Sequence, residues 1–160
     1  FNFLNANGIR SMQQLHEKIS GLNTRYYDLR GEIVKAERRI ATLTERGEMW
    51  KQYSQYKTVR KQLDKVKPAK RELFKQRHSR ELLLYEAAAR YLKELKESGE
   101  EITPKAWEQE ISKLTAAKDV KYMDMRAMRE ELKAVERLKK AADRLARQEQ
   151  EQTKDREPER

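Results

Sequence analysis

The chain has 160 residues, 40% of them charged and 37% hydrophobic, with 37 Lys and Arg against 27 Asp and Glu, five Gly, three Pro and no Cys. No apolar run approaches the ~20 residues of a membrane span, so membrane insertion is not expected. Absence of Cys excludes a disulfide framework and a thiolate metal site. The absence of a secretory apolar segment near Phe1 makes a cytoplasmic location the expectation, and the missing initiator Met suggests a fragment of a longer protein.

Ala, Glu, Lys, Leu and Arg dominate while β-branched residues and turn formers are scarce, which predicts an all-α chain. Residues 1–10 read as the end of a preceding helix, with Gly8 in the position after its last turn. Ser11 and Gln14 then have the spacing of a capping box, in which each side chain satisfies an orphan backbone donor. From there Leu15, Ile19, Leu22, Tyr26, Leu29, Ile33, Ala36, Ile40, Leu43, Gly47 and Trp50 recur in steps of four and three. Such a heptad seam keeps a narrow stripe toward one partner helix. Beyond Gly47 a displaced stripe of Tyr53, Tyr56, Val59, Leu63 and Val66 continues to Pro68, which removes a backbone donor and ends the helix, giving a first long helix over 11–66.

Residues 67–102 are expected to form a compact helical tip: a short helix from Pro68 to about His78, then a helix capped by Ser79 and closed by Gly99. In the latter, Leu82, Leu83, Tyr85, Ala88, Tyr91, Leu92 and Leu95 cover more than one face, as in a helix with several neighbours. Thr103 as cap, Pro104 at the first helical position and an Ile102–Trp107 staple start a second long helix over 103–147. Its stripe of Trp107, Ile111, Leu114, Met125, Met128, Leu132, Val135 and Ala142 is interrupted by Lys118, Lys121 and Lys139. Residues 148–160 lack apolar side chains and are expected to be disordered. The whole reads as one domain, a long antiparallel coiled-coil-like hairpin with short helices at its tip, in which Trp50 lies near Trp107 and Leu15 near Leu145.

The charge is unevenly placed. Residues 1–50 carry a net +2, residues 51–80 a net +9 and residues 81–160 a net −1. The basic segment contains Lys51, Lys57, Arg60, Lys61, Lys65, Lys67, Lys70, Arg71, Lys75, Arg77 and Arg80, offset only by Asp64 and Glu72. Such a patch neutralises phosphates and releases counterions. Tyr53, Tyr56 and Phe74 are interleaved with it as candidates for stacking on bases. DNA is therefore the expected partner, through non-specific phosphate contacts. The alternative for a charge run is a solvated helix face.

Catalytic and cofactor readings find no support. His16 and His78 are the only histidines, so a three-His metal site is excluded, and the glycines are too scattered for a phosphate-binding loop. Tyr26 lies on the seam, and a phenol near pKa 10 needs a base or a metal before it acts as a nucleophile. No catalytic residue, metal site or cofactor is expected.

The segments FNFLNANGI, LNTRYYDLRGEIVKAERRI, YKTVRKQL, RELLLYEAAARYLKEL and REELKAVERLKKAADRL, in that order, resemble the C-terminal helical region of relaxase/mobilisation nucleases of Gram-positive conjugative or mobilisable elements. The resemblance implies a nuclease domain N-terminal to this region in the same chain, which nicks transfer-origin DNA with a tyrosine nucleophile and a histidine-bound metal. Nothing here matches the family's histidine motif, so none of its catalytic residues carries over. The expectation is a non-catalytic helical domain that assists transfer-origin DNA binding. The alternative is a coiled-coil module that docks relaxosome accessory or coupling proteins.

Overall fold

The computed structural model describes residues 12–156, and among these it contains four helices and no strand. They are α1 (Met12–Lys65), α2 (Arg71–Arg77), α3 (Ser79–Glu97) and α4 (Pro104–Arg156), with a 3-10 turn, Pro68–Lys70, between α1 and α2. The readings placed on residues 1–10, and the cap at Ser11, lie outside the described residues. The all-α expectation is met.

The chain divides into two compact units. Among the described residues, one comprises those up to Val34 together with those from Lys118 onward, the other Lys35–Ala117. Both long helices contribute to both units.

In the first unit α1 and α4 run antiparallel, since their cross-helix partners proceed in opposite directions along the chain: Lys18 with Glu131 at 3.4 Å, Tyr26 with Arg129 at 2.7 Å and Glu32 with Lys121 at 3.5 Å. The seam is buried as its spacing requires. Leu15, Leu22 and Val135 form a core against which Ile19, Leu132 and Leu138 pack. Leu15 therefore meets this cluster and not Leu145, which is 51% exposed. Lys121, at an interrupting seam position, is half-buried and reaches Glu32, as a long side chain with an apolar stem can.

In the second unit Ala36 and Leu43 of α1, Leu82, Ala88 and Leu92 of α3 and Trp107 of α4 are buried. Leu83, expected on the apolar surface of α3, is 67% exposed. The middle of α1 is antiparallel to the start of α4, with Arg39 donating from Nε and Nη2 to the two carboxylate oxygens of Glu110 at 3.0 and 3.2 Å. Gln52 of α1 donates to the Leu84 carbonyl of α3 at 2.6 Å. Trp50 and Trp107, expected near each other, line one groove of the second unit.

Local chemistry explains the breaks. Before Pro68, Lys67 is driven to φ −58, ψ 140, out of the helical region. Arg71 donates from Nε to the Val66 carbonyl at 3.1 Å, satisfying one of the acceptors that the end of α1 leaves open. His78, not Ser79, precedes α3; its carbonyl accepts from Leu82 N–H at 2.9 Å and its Nδ1 lies 3.2 Å from Glu81. At the end of α3, Gly99 has φ +92, Glu100 N–H bonds the Leu95 carbonyl and Gly99 N–H the Lys96 carbonyl. These paired bonds are a Schellman motif, for which a residue without a Cβ is preferred. α4 extends to Arg156 and so takes in most of the expected disordered tail. Glu, Gln, Lys and Arg are good helix formers, and the next breaker is Pro158.

Candidate nucleic-acid interface

The basic segment falls wholly within the second unit. Lys51, Tyr53, Tyr56, Lys57, Arg60, Lys61 and Lys65 lie on the last turns of α1, Lys67 in the break after it, Lys70 in the 3-10 turn, and Arg71, Lys75 and Arg77 on α2. Arg80 begins the first turn of α3 with Ser79. The lysines among them are all exposed, as are Arg71, Arg77 and Arg80.

Internal neutralisation is slight. Arg60 pairs with Asp64 at 2.7 Å and Lys75 approaches Glu72 at 3.9 Å. The other nine cations have no ion pair among the described residues, so their charge is available to an external anion. Lys57 holds its ammonium 5.8 Å from the centre of the Tyr53 ring, a cation–π arrangement.

The aromatic residues fare differently from the expectation. Tyr53 stacks between Trp50 at 5.9 Å and Tyr85 of α3 at 5.2 Å, so its ring already has partners within the protein. Burial first, and then a hydrogen bond with Tyr53, hold the Tyr85 phenol above its ordinary 10.0. Phe74 is half-buried with its ring centre 4.4 Å from that of His78, and Tyr56 is half-buried. Periodicity cannot show that Tyr53 is occupied, because its partner Tyr85 comes from another helix.

Three residues of this unit have no signature in the sequence pattern. Arg46 is buried beside the seam position Gly47, and Lys93 and Lys96 of α3 line a groove with Trp50, Tyr53 and Tyr85. The lysines were hidden by averaging, since Glu94 and Glu97 follow each of them directly and cancel their charge in any count along the chain.

Tyr26, in the first unit, is half-buried on the seam, and its hydroxyl accepts from Arg129 Nη2 at 2.7 Å. No group of three or more His, Cys, Asp or Glu suited to a metal ion occurs among the described residues, and no described helix is long and apolar enough to cross a membrane.

Fold and surface thus define an all-α protein with a concentrated cationic segment. Comparison of the chain with protein-family models, with curated proteins and with solved structures gives no match.

Proposed function

We propose that this chain is a non-catalytic helical domain of a conjugative-transfer relaxase, and that its basic segment assists in holding transfer-origin DNA. The observation that carries the DNA part is the set of nine unpaired cations between Lys51 and Arg80, clustered where α1, the 3-10 turn and α2 succeed one another. Phosphate is the anion that such a dense array suits, and contacts of this kind neutralise charge without reading sequence. The relaxase part rests on the sequence resemblance. DNA-binding of this type weakens steeply with salt.

Fluorescence anisotropy with single-stranded and duplex oligonucleotides at two salt concentrations tests the reading. Binding is expected at low salt and is lost when Lys57, Arg60, Lys61 and Lys65 are changed together to Glu. Absence of binding to either probe at low salt overturns it.

The same unpaired cations favour a second reading, in which the segment docks an acidic surface of an accessory or coupling protein. Pull-down before and after nuclease treatment separates the two, since only protein-mediated partners survive digestion.

A further inference from the structure

Between α1 and α3 the second unit contains a groove of about 480 Å³ whose lining combines two features. One is aromatic: Trp50, Tyr53 and Tyr85 form a continuous stack, with interplanar angles of 27° and 23° between successive rings. The other is cationic: Lys57, Lys93 and Lys96 line the same groove, all three exposed and none in an ion pair among the described residues. No acidic side chain lines it. Trp50 also lines a second groove with Trp107 and Pro104.

A duplex offers phosphates to lysines but keeps its base faces covered by stacking. An unpaired nucleotide offers both a phosphate and an open π-face, and aromatic platforms flanked by cations are the means by which proteins hold single strands without reading sequence. The volume exceeds the ~300 Å³ at which small-ligand pockets begin, so a base with its sugar is within its size. We infer that this groove seats an unpaired nucleotide of a single strand, its base against a terminal ring of the stack, Trp50 or Tyr85, and its flanking phosphates on Lys57, Lys93 and Lys96. The inference rests on the DNA-binding reading and deepens it, by assigning strandedness to a site outside most of the basic segment.

The intact 160-residue chain is titrated with fluorescein-labelled dT12, with the same oligonucleotide carrying abasic sites in its central positions, and with a 12-base-pair duplex. The abasic strand is expected to bind about tenfold more weakly than dT12, since its central positions have no base to stack. The double change Lys93→Glu and Lys96→Glu, confined to exposed positions, is expected to weaken dT12 by about tenfold and the duplex by less than about threefold. Equal affinity for the abasic and intact strands overturns the inference, because phosphate alone then accounts for binding. Equal losses on dT12 and duplex overturn it too. In both cases duplex binding that still depends on Lys57, Arg60, Lys61 and Lys65 leaves the DNA reading standing, whereas failure of the unaltered chain to bind any probe removes both.

Discussion

Arg46 places a guanidinium nitrogen 3.7 Å from the Glu100 carboxylate, at a point where the heptad spacing anticipates the neighbouring Gly47. The guanidinium carbon stands 6.0 Å from the centre of the buried Trp107 ring, and Arg46 itself is 8% exposed. Its Nε is buried without a hydrogen-bond partner. The side chain thus fills space as much as it pairs charge, and its desolvation is only partly offset by Glu100, whose side chain is half-exposed.

Replacement of Arg46 separates the two contributions. Arg46→Ala removes packing and leaves a void, and is expected to destabilise the protein by about 2–4 kcal/mol. Arg46→Met keeps most of the volume and removes the unsatisfied nitrogen, so its effect is expected within about 1 kcal/mol of the unaltered protein. Urea denaturation followed by circular dichroism measures both. A loss as large for Met as for Ala would show that charge, not packing, is what the site requires.

The register of the first unit makes a second contrast. Leu15, at 1% exposure in the core with Leu22 and Val135, is expected to cost about 2–4 kcal/mol when changed to Ala. Leu145→Ala, at an exposed position, is expected to change stability by less than about 0.5 kcal/mol. Comparable losses at the two sites would instead favour the pairing of Leu15 with Leu145.

Glycines within α1 and at the end of α3 respond in opposite directions. A Cβ at Gly31 or at Gly99 meets no atom within 4 Å, so sterics with neighbours do not distinguish them. Backbone conformation does: Gly31 is in mid-helix, where Ala is better by about 0.5–1 kcal/mol, while Gly99 has φ +92, which an L side chain disfavours. Thermal unfolding is expected to show a higher midpoint for Gly31→Ala and a lower one for Gly99→Ala.

The Arg39–Glu110 pair has a pH signature. Hydrogen bonding from Arg39 lowers the Glu110 pKa below its ordinary 4.5, so the folded state favours the carboxylate. A folded pKa below the unfolded one contributes stability that is present above the unfolded value and is lost as pH falls through the folded value. Glu110→Gln is therefore expected to lower stability at neutral pH, with the difference from the unaltered protein shrinking as pH falls below 4.5. A difference independent of pH, measured by urea unfolding across that range, would show that the ionised pair contributes nothing.

Helix content, the seam of α1 from Leu15 to Leu43, the break at Pro68, the Gly99 terminus and the Pro104 start were all legible in the sequence. Each depends on neighbours within a turn or two, which spacing and local backbone chemistry define. The concentration of cations between Lys51 and Arg80 was legible for the same reason, being a property of contiguous sequence.

Tertiary structure alone decided which heptads meet, that Tyr53 is taken up between Trp50 and Tyr85, that Arg46 is buried, and that Lys93 and Lys96 join Lys57 at one groove. A heptad seam is degenerate to slips of seven residues, so its register follows from cross-helix partners such as Lys18 with Glu131 and Glu32 with Lys121. A helix also drifts against a strict heptad repeat, and this lets Arg46 take the buried place beside Gly47. A groove between α1 and α3 gathers side chains some forty positions apart, and no pattern within either helix records that they will share one surface.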